Sequence, residues 1–139
     1  MLLYISRTKS ARFATLRFAN SQGWLGLDGT EPNILSTAID SLSSKTELVC
    51  TKRYTSLFRI LVSWMTNLDT AVVQMLTDVR PGVLAIYTHW LMLLTLVEDL
   101  WWIGDMGRAG IRDVLHVIGG STNELAPVLS WSKEILGVK

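Results

Sequence analysis

Apolar residues recur three and four positions apart through most of this chain. The densest run, residues 83–97, carries no formal charge and has only Thr88, His89 and Thr95 as polar interruptions. Pro81 precedes the run, and Glu98, Asp99 and the Trp101-Trp102 pair follow it. Read at 3.6 residues per turn, Ile86, Trp90, Leu93, Val97 and Trp101 fall along one side of a helix, and Leu84, Tyr87, Leu91 and Leu94 along another. A helix apolar on two sides needs neighbours on both, because leaving that surface in water costs about 25 cal/mol per Å². The pattern predicts a central helix over 82–99 with other helices packed around it.

The flanking segments supply those helices. Residues 1–22 show no clean period: Tyr4, Arg12, Phe13, Leu16 and Arg17 could sit on a short helix, while residues 4–6 and 12–14 also read as extended. Glycines at 23, 26 and 29 follow, so residues 1–30 are expected as an irregular, poorly defined basic N-terminal segment before a helical domain over 31–139. Thr30 can cap a helix starting near Pro32, in which Ile34, Leu35, Ala38, Ile39 and Leu42 recur at helical spacing; the serines at 41, 43 and 44 read as its break. A second helix is predicted over 51–66, with Tyr54, Leu57, Phe58, Leu61, Val62 and Met65 as its stripe. Asn67 and Asp69 interrupt it. The next helix has Val72, Val73, Leu76 and Val79 on one face, and Pro81 closes it or opens the following one. Beyond Gly104 and Gly107, the residues Ile111, Val114, Leu115 and Ile118 form an amphipathic helix that Gly119-Gly120 can terminate. Ser121 and Glu124 have capping-box spacing for a last helix, which Pro127 starts or kinks. No segment sustains the alternation of a strand. The expected fold is all-α, an irregular bundle of about six helices.

Charge narrows the function classes without choosing one. The 13 basic and 12 acidic residues nearly cancel, which gives no general case for a nucleic-acid surface. The uncharged run is about 15 residues, short of the roughly 20 a lipid-spanning helix needs, so no integral membrane segment is expected. Arg7, Lys9, Arg12 and Arg17 all precede the first acid, Asp28, a composition shared with mitochondrial presequences; a small mitochondrial or membrane-associated protein is therefore one alternative reading. The single cysteine, Cys50, excludes an internal disulfide and a cysteine-built zinc site within these residues.

Candidate chemistry is sparse. Neither histidine, His89 or His116, has a Glu or Cys three or four residues away, so His89 reads as a satisfied core imidazole and no metal site or cofactor is expected. Glu98 and Asp99 point about 100° apart on a helix, which suits pairing with Arg108 or Arg112 better than acid–base catalysis. The tryptophans offer more. Trp64, Met65, His89, Trp90, Met92 and Trp101 are spaced to line a pocket for a flat apolar ligand between helices, although ordinary core packing accounts for each ring as well. Basic residues do not interleave with these rings, so stacking on bases is not supported.

Pro81, Leu84, Ile86, His89-Trp90 and Leu93-Leu94, then Trp101-Trp102, Gly104, Gly107 and Arg108, and a tail of Trp131-Ser132-Lys133-Glu134-Ile135-Leu136-Gly137, form a pattern across residues 54–139. It resembles the C-terminal region of fungal zinc-cluster transcription factors, including those similar to sterol uptake regulators. Ser132 stands where that family's tail often has proline. The resemblance implies a non-catalytic regulatory role in the nucleus or cytoplasm. An apolar effector such as a sterol, or a transcriptional co-regulator, would be the partner, and self-association into a homodimer is compatible with it. The family reads DNA through a six-cysteine zinc cluster absent from this chain, so direct DNA binding is not expected, and the chain reads as a fragment or a separated domain. A structural or protein-interaction domain without a ligand is the other reading. By the resemblance, Trp90 and Trp101 belong to the heart of the bundle, Trp102 and Gly104 to the turn beyond it, and Trp131 to the closing helix.

Overall fold

The computed structural model describes residues 2–22, 32–51, 57–78, 81–97 and 104–118, with Trp131, Ser132 and Leu136. These residues form an all-α bundle of six helices, with no strand among them: α1 (Leu2–Ser21), α2 (Pro32–Thr51), α3 (Leu57–Thr66), α4 (Thr70–Thr77), α5 (Pro81–Leu94) and α6 (Met106–Ile118). A 3₁₀ turn, Thr95–Val97, extends α5.

The central element is α5, as its all-round apolarity requires. It packs against α2, α3, α4 and α6. Its residues at 83–86, 88–89 and 91–95 are buried, while Tyr87 and Trp90 are half-buried. Its threonines hide their hydroxyls within the helix: Thr88 Oγ1 donates to the Leu84 carbonyl and Thr95 Oγ1 to that of Met92, both at 2.6 Å. Internal back-bonding of this kind lets a polar residue occupy a core position without an orphaned donor. The helix ends sooner than the expected 82–99, tightening at Thr95, and Glu98 and Asp99 lie outside the described residues.

The start of the chain departs from its sequence reading. Residues expected to be irregular instead form the 20-residue helix α1. Its inner face comprises Ile5, Arg12, Phe13, Leu16, Ala19 and Asn20. Two polar residues, Arg12 and Asn20, occupy inward positions while Phe18 points out with 57% of its surface exposed, which erases the apolar period. Antiparallel to α1 runs α2, as two ion pairs show: Lys9 with Glu47 at 2.8 Å and Arg17 with Asp40 at 3.2 Å.

The break expected at Ser41, Ser43 and Ser44 does not occur. The stripe Leu35, Ala38, Ile39 and Leu42 continues through Thr46 and Val49, all buried, and Thr46 Oγ1 donates to the Leu42 carbonyl at 2.9 Å. Burial of that continuous face outweighs the weak helix preference of serine.

On α3 the inward face is Ile60, Leu61 and Trp64, with Val62 and Met65 at its margin; Tyr54 lies outside the described residues. The Asp69 side chain caps α4, accepting from the Ala71 N–H at 2.8 Å. That start turns Val72 and Met75 inward and leaves Val73, expected on the inner face, 45% exposed. The α6 stripe is as expected, with Ile111, Val114 and Ile118 buried and Leu115 half-buried. Gly104, at φ +49°, turns the chain into it. A Cβ on Gly107 would lie 2.8 Å from the Leu91 carbonyl oxygen, so α6 approaches α5 at backbone contact there.

Candidate functional site

The six residues expected around an apolar pocket separate into two neighbourhoods, because His89 and Trp90 are consecutive on α5 and project about 100° apart. Trp90 faces α3. Its ring stacks on Trp64 with centroids 6.2 Å apart at 25°, and on Tyr87 at 5.7 Å and 17°. Each indole N–H finds a main-chain acceptor: Trp64 Nε1 donates to the Ala38 carbonyl at 3.2 Å and Trp90 Nε1 to that of Leu61 at 3.0 Å. Helical carbonyls already bonded within the helix accept a second hydrogen bond in both cases, since each oxygen has two lone pairs. Burial pushes the Tyr87 phenol above its ordinary pKa. Met65 packs half-buried against this core, and Met92 lies fully within it at 1% exposure. Trp101 and Trp102 lie outside the described residues.

His89 faces the other way, toward α1 and Trp131. Its ring is 4.7 Å from that of Trp131, edge-on at 63°, and 5.8 Å from Phe13. The Arg12 guanidinium lies over both of these aromatic neighbours, 5.6 Å from the Trp131 centroid and 5.8 Å from that of Phe13. Its Nε donates to Thr8 Oγ1 at 2.8 Å and its Nη2 to the Ile5 carbonyl at 3.3 Å. His89 Nδ1 is 2.8 Å from the Ala85 carbonyl, which can only accept, so the neutral ring carries its proton on Nδ1 and a lone pair on Nε2. That Nε2 is buried and has no hydrogen-bond partner among the described residues. Burial foremost, and then the Arg12 charge, lower the His89 pKa to about 3 against the opposing pull of the Ala85 hydrogen bond, so the ring is neutral at pH 7.

Of the positions carrying the family-like pattern, Pro81 opens α5, Leu84 and Ile86 are core, Gly104 and Gly107 form the turn and close approach of α6, and Trp131 is buried against His89. The sequence reading did not group Arg12 and Phe13 with His89. The signal was an arginine in phase with Ile5, Leu16 and Ala19 on a helix, where an inward cation needs aromatic faces or carbonyls around it.

Among the described residues, two of the hollows border these regions without joining them. A cleft of about 260 Å³ between α1 and α2 is lined by Lys9, Ser10, Phe13, Arg17, Ser43 and Glu47, with the two interhelical ion pairs at its sides. A cavity of about 80 Å³ beside Trp64 is lined in part by Ile34, Ala38, Leu68 and Val72. Neither is lined by Met65, His89, Trp90 or Met92.

Arg112 pairs with Asp105 at 3.2 Å, both exposed, while the expected partners Glu98 and Asp99 lie outside the described residues. Cys50 is a half-buried free thiol. Among the described residues no three His, Cys, Asp or Glu side chains group closely enough to hold a metal ion, and no helix is long and apolar enough to cross a membrane. In comparisons with known proteins, no family model, curated protein or solved structure matches this chain.

Proposed function

We propose that this chain is a non-catalytic helical regulatory domain that acts through contact with other proteins. The observation that carries the contact-based form is the Trp64–Trp90–Tyr87 stack. Among the described residues, Trp64 and Trp90, two of the rings expected to line an effector cavity, lie on one another, and both of their indole N–H groups are used on backbone carbonyls. A pre-formed apolar ligand site would instead have ring faces open to a cavity and a polar anchor aimed into it. The regulatory part rests on the residue pattern from Pro81 to Trp131 and its resemblance to fungal zinc-cluster regulators, and it implies action in the nucleus with a transcriptional co-regulator as partner. The chain would then depend on another segment or protein for contact with DNA.

Two measurements test the two parts separately. Fused to an unrelated DNA-binding domain in yeast, the full chain is expected to change expression of a reporter; unchanged expression from a fusion shown to be stable would overturn the regulatory part. Titration of the purified chain with a fluorescent sterol is expected to give no saturable energy transfer from the tryptophans. One-site saturation abolished by Trp90→Ala in a folded variant would overturn the contact-only form and restore an effector pocket.

A further inference from the structure

We propose that Arg12, Phe13, His89 and Trp131 form an acid-releasable clasp that holds α1 and Trp131 against α5. Most of α1 packs along α2, and α1 reaches α5 through Phe13 against His89. Trp131, only 6% exposed, lies against two groups at once, the edge of the His89 ring and the Arg12 guanidinium. One indole therefore joins a side chain of α1 to a side chain of α5.

The clasp is stable only while His89 is neutral. Its Nδ1 proton is committed to the Ala85 carbonyl, so the next proton must enter at Nε2, in a fully buried position with no acceptor among the described residues to receive that N–H. Among the described residues, the ring meets Phe13 of α1 and Trp131, and the Arg12 charge acts on it from α1. Arg12 is the one charged group among them, and it is a cation. Protonation would thus set a second positive charge beside the first in an apolar surround, and separating α1 and Trp131 from α5 is the available relief.

The direction with pH follows from linkage. A released His89 takes up a proton near 6.5 while the clasped one resists until about 3, so the clasp is fully held above pH 6.5 and weakens as the pH falls from there toward 3. Between pH 7 and pH 5 the equilibrium for opening is expected to rise about 25-fold from this group. His116, exposed on α6, is present in both proteins compared below.

The test uses the full chain and His89→Phe, which keeps an aromatic ring between Phe13 and Trp131 and removes the titrating nitrogen. Amide hydrogen exchange at pH 7 and pH 5, corrected for the intrinsic rates, is expected to show α1 losing protection at pH 5 while α6 keeps it in the wild type. The variant is expected to show no such selective loss. Equal loss in α1 and α6 would mean global unfolding, and an α1 loss that persists in a folded His89→Phe would assign the acid response elsewhere; either overturns the proposal. If the variant does not fold, the wild-type imidazole decides by NMR. A His89 ring that stays neutral down to pH 5 in the folded form supports the clasp, and one that titrates near 6.5 without loss of α1 protection sinks it.

Discussion

A tryptophan in a helical core must place one N–H, and how it does so shows whether the ring is packing or waiting for a ligand. Trp64 and Trp90 both give theirs to carbonyls on a neighbouring helix, so each ring pins two helices while its face lies on the other ring. Trp64→Phe is expected to destabilise the chain by about 1–3 kcal/mol, from one lost hydrogen bond plus the space the smaller ring leaves. Trp90→Phe, half-buried, should cost less, near the low end of that range. Because the rings stack, the double variant is expected to depart from additivity by about 0.5–1.5 kcal/mol, read from urea denaturation of all four proteins. His89, a buried polar side chain on α5, is stable for a different reason: its surroundings hold it neutral, and its effect on stability appears only in acid.

The contact of α6 with α5 turns on the absence of side chains at two places that are not equivalent. A methyl at Gly107 would meet the Leu91 carbonyl oxygen at 2.8 Å and the Thr95 nitrogen at 3.1 Å, backbone atoms that can move only if the helices separate. At Gly110 it would meet the ends of the Leu91 side chain at 2.9 Å, which can change rotamer. Gly107→Ala is therefore expected to cost about 1–3 kcal/mol. For Gly110→Ala the gain in helix propensity, about 1 kcal/mol, offsets most of the crowding, leaving it within about 1 kcal/mol of wild type by thermal unfolding. At α4 the single cap predicts a simpler result: Asp69→Ala loses the bond to the Ala71 N–H and about 1 kcal/mol, while Asp69→Asn retains most of the stability. An Asp69→Ala variant as stable as wild type would show that packing of Val72 and Met75 alone fixes that start.

Taken whole, the bundle is joined by apolar contact around α5, and the interhelical ion pairs among the described residues are peripheral. Lys9–Glu47 and Arg17–Asp40 align α1 with α2 but reach water, the glutamate and aspartate side chains being 55% and 62% exposed. Raising salt from 0.1 to 1 M is therefore expected to move the unfolding free energy by less than about 1 kcal/mol through these pairs. A larger fall that Lys9→Ala and Arg17→Ala together remove would give the pairs a structural weight that their exposure argues against.

The helical class, the central position of the 83–97 run and the inward stripe of α6 were legible in the sequence because each rests on periodic apolar residues within one helix, a local property of the chain. α1 was not legible, since Arg12 and Asn20 occupy inward positions that interrupt its apolar period; Arg12 is held there by Thr8, the Ile5 carbonyl and Phe13 of α1 itself, and by the Trp131 ring from far along the chain. The continuation of α2 past its serines has a similar origin, for it follows from what covers Leu42, Thr46 and Val49 and not from local preference. Spacing placed His89 and Trp90 on one helix, and tertiary packing alone turned them to different partners, Trp90 to Trp64 and His89 to Trp131. Periodicity determines which side of a helix is buried; what that side meets depends on contacts between residues far apart in the chain, which no local pattern encodes.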